Sequence, residues 1–252
     1  MKLARDTWLV FQRAMGQTVR NPTWIIVLLA QPLMFLYLFG PLLKGNGLRN
    51  IPNRDVFNVF VPGLLVQLAM FGTMFVGFGL VAELRYGVIE RFRVTPISRV
   101  ALLLGRSLRD VVALVVQAML LMLLALPLGL HIKAAGMLVM VGMMVLLGLM
   151  FSAFSYALAM MLKSEDALAP LMNMLSMPLL LLSGILIPMT FAPRWLRGVS
   201  KVNPVTHVVD AARQLFQGHV WNGTVATGVI VGGVLAALTV GWASRLFNKS
   251  AA

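Results

Sequence analysis

Cysteine is absent from the 252-residue sequence, which excludes disulfides, thiol catalysis and cysteine-based zinc or iron–sulfur sites. Acidic side chains are scarce: eight Asp and Glu stand against 21 Lys and Arg, a formal net charge of +13. The three histidines, His131, His207 and His219, lack metal-ligand spacing, and neither H-E-x-x-H nor G-x-S-x-G occurs. No Gly-Lys dipeptide exists, so the sequence holds no phosphate-binding P-loop. A nucleotide used by this chain would have to be bound by another polypeptide.

What the sequence has in abundance is hydrocarbon. Hydrophobic residues make up 60% and charged residues 12%, far from the composition of a soluble domain. Several apolar runs reach the roughly 20 residues that cross a bilayer. The reading is a single-domain, all-α, multi-pass membrane protein over residues 1–252, with six spans at about 23–43, 58–82, 111–130, 136–162, 167–188 and 224–246. Six spans put both termini on one side. With that side inside, inner segments hold 13 of the 21 Lys and Arg and outer segments the other eight, a bias of the right sign for cytoplasmic termini. Lipid and topology therefore explain the basicity without nucleic acid.

Residues 1–22 carry no apolar core of the kind a signal peptide needs. Ala4, Trp8, Phe11, Met15 and Val19 form one helical stripe, with Asp6, Arg13, Gln17 and Arg20 opposite, the pattern of a helix lying in the membrane interface. Pro32 predicts a kink in the first span, and Pro62-Gly63 interrupts the second. Between spans five and six, Pro193 opens a short amphipathic helix carrying Trp195. Asn203-Pro204 caps and starts a second one. Neither is long enough to span, so both are expected at the outer face. Gly228/Gly232 and Gly233/Ala237/Gly241 are small-xxx-small spacings in the last span, suited to close helix packing.

One segment departs from this apolar background. From Ala82 to Arg99, Glu83, Arg85, Glu90, Arg91, Arg93 and Arg99 crowd between two spans, together with Gly87 and Pro96. At 3.6 residues per turn, Glu83, Gly87 and Glu90 share one helical face, and Pro96 ends the helix. Two readings fit: a short helix held by a partner protein, or a loop that is basic for topological reasons only. The interiors of these spans hold no Asp, Glu, Lys, Arg or His, which disfavours coupling to an ion gradient. Gln31, Gln67, Gln117, Asn173, Ser152, Ser155 and Ser176 remain inside, to meet substrate or to bond between helices. Methionines such as Met143, Met144, Met160 and Met172 supply either an adaptable surface or gap filling.

The charged segment, with Glu83, Gly87, Glu90 and Pro96, resembles the coupling region of type-2 ABC transporter permeases. Gly87-Val88-Ile89-Glu90-Arg91-Phe92-Arg93 is most similar to the daunorubicin-resistance (drug efflux) permease subfamily. Arg20-Asn21-Pro22, Gln31-Pro32, Pro62-Gly63, Leu182-Ser183-Gly184, Trp195-Leu196 and Asn203-Pro204-Val205-Thr206 extend the likeness over nearly the whole chain. The resemblance implies a permease dimer, of identical or related chains, in a bacterial inner membrane. It implies pairing with a separate ABC ATP-binding subunit that carries ATP and magnesium, this chain binding no cofactor and catalysing no reaction. Glu83, Arg85, Gly87, Glu90, Arg91, Arg93 and Pro96 would form the ATPase-coupling element. The interfacial helix with Trp8, Phe11, Arg13 and Met15 would lie beside it. Pro193, Trp195, Asn203 and Pro204 would belong to the outer-side helices. The expected activity is export of a hydrophobic drug, antibiotic, lipid or lipid-linked glycan. A gradient-driven or facilitative carrier is the alternative, and an intramembrane enzyme lacks a nucleophile–base pair.

Overall fold

A computed structural model of the chain describes residues 2–21, 23–42, 56–87 and 98–249. The elements, in order, are α1 (Lys2–Arg20), α2 (Thr23–Met34) with a π-helical turn Phe35–Phe39 and a further turn Gly40–Leu42, α3 (Val56–Met74) and α4 (Gly77–Arg85). They continue with α5 (Arg99–Ala125), α6 (Ala134–Leu162), α7 (Glu165–Leu182), α8 (Arg194–Ser200), α9 (Pro204–Phe216) and α10 (Gly223–Lys249). No strand occurs among the described residues.

Among the described residues, four stretches are long and apolar enough to cross a membrane: Val56–Arg85, Val100–Leu128, Ala134–Leu162 and Gly223–Phe247. Ile26–Leu42 is apolar but shorter. α7 opens on Glu165 and Asp166 and contains Pro170 and Pro178. Their common core gathers Leu64, Leu68, Leu103, Leu114, Met144 and Leu147.

The interruption expected at Pro62-Gly63 is corrected to a single missing backbone bond, since α3 runs unbroken from Val56 to Met74 through Pro62, whereas the helix does change just after Pro32. Pro32 cannot donate to the carbonyl of Leu28, and the π-helical turn begins three residues later, at Phe35. There Leu36 is fully buried and the Tyr37 hydroxyl donates to the Leu124 carbonyl at 3.2 Å, tying α2 to the far end of α5. In α3, Pro62 leaves the carbonyl of Asn58 without its helical donor. The next residue is a glycine for a plain reason: a Cβ on Gly63 would fall 2.1 Å from the Ile185 carbonyl oxygen.

Two expectations about the spans are corrected. The second span breaks at Phe75–Val76, where Phe78 and Gly79 donate back three residues at 3.2 and 3.1 Å, and then continues as α4 to Arg85. The third span begins about three turns earlier than Val111, because α5 runs unbroken from Arg99 and carries Arg106, Arg109 and Asp110. Hydropathy marks where a helix becomes greasy, whereas the backbone bonds that define it continue through charges that have partners. Ionisable groups therefore do lie inside the long apolar helices, and the charge-free interior was an effect of drawing the limits by hydropathy.

The polar residues of the spans mostly bond within their own helix: Ser152 to Leu149, Asn173 to Ala169 and Ser176 to Asn173. Ser155 is the exception, accepting from the Gly77 amide at 2.9 Å where α4 presses on α6. Gly228 serves intrachain packing, since its Cβ would meet Ala211 Cβ at 2.4 Å, whereas Gly233 and Gly241 face open space. The helices α8 and α9 sit beside the start of α3, at the end of the bundle opposite Glu83. α9 is buried through Val205, Val208, Val209, Ala212 and Phe216, while Trp195 and Val199 of α8 are exposed.

Candidate functional site

The apolar stripe and the docked face of α1 are different faces. Thr7, Val10, Ala14 and Thr18 lie about a quarter-turn or more around the helix from Trp8, Met15 and Val19 at 100° per residue. The first set meets α5: a Cβ on Gly105 would come within 2.7 Å of Val10 Cβ and 2.8 Å of the Thr7 carbonyl oxygen. Helix α1 therefore seats its small polar–apolar face on α5 and leaves Trp8, tilted against Phe11 with ring centroids 5.1 Å apart, largely exposed. Two polar clasps reinforce the seat. The Ser98 amide donates to Asp6 Oδ2 at 3.5 Å, and Arg109 Nη1 donates to Thr18 Oγ1 at 3.3 Å.

The same turns of α5 reach inward. Arg106 forms an ion pair with Glu83 at the end of α4. Arg109 Nη2 lies 2.8 Å from Asp110 Oδ1, and the Tyr156 hydroxyl of α6 donates to Asp110 Oδ2 at 2.5 Å. The Asp110 side chain is 3% exposed, so its charge depends on these partners to offset the cost of leaving water. Two adjacent polar groups on α5, Arg106 with Glu83 and Arg109–Asp110 with Thr18 and Tyr156, thus tie α5 to α4, α1 and α6 around a cavity of about 410 Å³, whose walls include Arg13, Gln17, Glu83, Arg106, Arg109 and Tyr156. A movement of the α4 terminus away from α5 would break the Glu83–Arg106 pair.

The charged segment of the sequence meets this network at Glu83. Within the chain, the Glu83 carboxylate is paired with Arg106 of α5. Arg85 is exposed at the α4 terminus. Gly87 does not continue a helical face shared with Glu83. It adopts φ of 66°, and the chain turns there, the left-handed position that ends many helices and favours glycine. Glu90, Arg91, Arg93 and Pro96 lie outside the described residues. Arg13 lines the cavity and Met15 is half-buried beside it. At the opposite end, Pro193 takes the N-cap position of α8 and Pro204 the first turn of α9. Asn203 Oδ1 accepts from the Val205 amide at 3.0 Å, and its Nδ2 donates to the Leu179 carbonyl at 3.1 Å.

Arg106, Arg109, Asp110 and Tyr156 escaped the sequence reading as site residues. The signal was present in Arg106 and Asp110, four apart and hence on one face of a helix, but nothing local names Tyr156 as their partner. Arg213 was counted only as an outer positive charge. Its side chain is 7% exposed, with Nε donating to the Val59 carbonyl at 3.2 Å and Nη2 to the Gly184 carbonyl at 2.6 Å. It thereby serves the carbonyls around the Pro62 interruption and at the end of α7. Burial lowers its guanidinium pKa to about 10, still charged at neutral pH. Among the described residues no cluster of three or more His, Asp or Glu could hold a metal.

The family model described as ABC-2 type transporter matches residues 5–216. The chain belongs to the ABC-2 type transporter family. This permease is 29% identical over 243 residues to the daunorubicin resistance ABC transporter permease protein DrrB1 of Streptomyces coeruleorubidus, covering 95% of the chain and 85% of the relative. It is equally 29% identical to the putative transport permease ycf38 of Cyanophora paradoxa over 221 residues, 86% of the chain and 76% of the relative. The probable multidrug ABC transporter permease YbhR of Escherichia coli K12 is 24% identical over 167 residues, 66% of the chain and 45% of that protein. The matched region of the family model contains most of α1, the residues Glu83, Arg106, Arg109, Asp110 and Tyr156 and both short helices, and stops where α9 ends. The ABC-2 permease is a multi-pass membrane protein whose relatives are transport permeases.

Proposed function

We propose that the chain is the membrane subunit of an ATP-driven exporter in a bacterial inner membrane, working as a dimer with a separate ATP-binding subunit on the side of its termini. The observation that carries this reading is the polar network joining the end of α4 to α1, α5 and α6. It supplies what a borrowed motor needs: a charged residue at the end of α4, Glu83, paired with Arg106 of α5, the helix that in turn holds α1 and α6. Coupling in this sense is a free-energy link between separated sites through an element with two arrangements. Glu90, Arg91 and Arg93 would meet the ATP-binding subunit, with ATP and magnesium held there. Six crossings, with α2 and α7 as the shorter ones, keep both termini together. The cargo class is a hydrophobic drug, antibiotic, lipid or lipid-linked glycan, as drug-resistance names among the relatives suggest.

The second reading, a gradient-driven carrier, draws on Asp110, because a buried carboxylate within a long apolar helix is a familiar proton-relay element. Its pairing with Arg109 and Tyr156 favours a structural use. Reconstituted vesicles separate the two. Export that requires the co-reconstituted ATP-binding subunit and ATP, and that is lost in Glu90→Ala while the variant still inserts and folds, is the expected result. Transport that persists with every ATP-binding partner removed and follows a proton gradient would replace the exporter by the carrier.

A further inference from the structure

A second cavity lies at the other end of the bundle, about 850 Å³, between α8, α9, the turn before α8, the first turns of α3 and the start of α10. That is the size of a small-molecule site, well beyond what an inorganic ion fills. Its charged lining is unbalanced: Arg197, Lys201 and Arg213 face one carboxylate, Asp210, with His207 beside them. Arg213 sets the field. It is nine-tenths buried, its Nη1 has no hydrogen-bond partner, and the acid paired with it among the described residues, Asp210 through Oδ1, is 3.8 Å away and half-exposed. Nη1 is covered, so it acts on the cavity through its charge, undiminished by water. The exposed cations Arg197 and Lys201 can reach a ligand directly, together with donors from Gln214 and nearby hydroxyls.

The surroundings indicate where such a ligand comes from. Exposed Trp195 on α8, Val202 after it at 84% exposure and Trp221 before α10 at 99% ring this end of the bundle. Tryptophans in this setting lie at the headgroup level of a bilayer. A donor-rich, net-positive cavity at headgroup depth selects a multi-oxygen anion with a bulky polar substituent.

We propose that this cavity binds a phosphate ester, presented by the headgroup of an anionic lipid in the adjoining leaflet. The site lies apart from the Glu83 network and does not depend on the exporter reading. Lipid bound there would bridge α8 and α9 to the start of α3.

The test uses the full chain purified in a neutral maltoside detergent, titrated calorimetrically with dihexanoyl phosphatidylglycerol and with glycerol 3-phosphate. Saturable binding of the short-chain lipid is expected, weakened about tenfold by Lys201→Gln or by Arg197→Gln, each removing one charge-assisted contact. Glycerol 3-phosphate should bind more weakly. Equal affinity for the two would keep the phosphate chemistry and overturn the lipid as its source. No saturable binding of either probe, or binding unchanged in the Lys201→Gln/Arg197→Gln double variant, would overturn the site altogether. Both substituted side chains are exposed, so the variants are expected to fold even if Arg213→Gln does not.

Discussion

Replacing Glu83 with glutamine removes one charge from its pair with Arg106 while keeping the size of the side chain. The Arg106 side chain is 10% exposed and that of Glu83 37%. A fully exposed pair contributes about 0–1 kcal/mol, and breaking a fully buried one costs about 3–5 kcal/mol. With one partner buried and the other partly wet, Glu83→Gln should cost about 2 kcal/mol, most of it the stranded guanidinium. Arg106→Gln should cost less, about 1 kcal/mol, because water can reach the orphaned Glu83. In a chain of this length about 1 kcal/mol corresponds to roughly 2–4 °C in Tm, so Glu83→Gln is expected to lower the unfolding temperature by about 4–8 °C. Thermal unfolding of the purified full chain in neutral detergent measures both single variants and the Glu83→Gln/Arg106→Gln double variant. The double variant should recover about 1 kcal/mol relative to the sum of the singles. Additivity within about 0.3 kcal/mol would refute the claim that these two side chains tie α4 to α5.

Three further substitutions test other joints. Gly105→Val puts a branched side chain where a Cβ already meets Val10 at 2.7 Å, so α1 should lift from α5 and trypsin should cleave at Arg5 and Arg13 several-fold faster. Gly63→Ala drives a methyl group against the Ile185 carbonyl, backbone that cannot swing aside, and should cost about 3 kcal/mol or abolish folded protein, read as a monodisperse peak on size exclusion. Asn203→Ala removes both the α9 cap and the donor to Leu179 and should lower stability by about 2 kcal/mol in the same thermal assay; a shift under 1 °C would count against the cap.

Much of the architecture was legible because membrane helices declare themselves through composition and length. The N-terminal helix, the disturbed helix just after Pro32, the capped start of α9 and the small-residue contact at Gly228 all rest on local chemistry, and local chemistry is what a sequence displays. The limits of the second and third spans were not legible, since a helix carrying Arg106, Arg109 and Asp110 looks like a loop until their partners are known. Glu83 was picked out by its charge, but Arg106 lies 23 positions away and Tyr156 a further 50. Gly87 was assigned to a helical face by counting at 3.6 residues per turn. The same glycine is a good stop signal, and its positive φ decides between the two uses. The docked face of α1 was missed for a related reason: the apolar stripe drew attention, while the contact with α5 is made by Thr7, Val10 and Ala14.

Arg213 also constrains the order in which the chain can be assembled. A buried arginine left without partners is costly, and this one finds its acceptors on residues 59, 184 and 185, all synthesised before it. Helix α9 can therefore settle only onto a pre-existing seat made by α3 and the end of α7. The last helix, α10, must then close over α9 through the gap that Gly228 leaves for Ala211. The hairpin of α8 and α9 behaves as a late-fitting keystone: its placement reports that the earlier helices have already met.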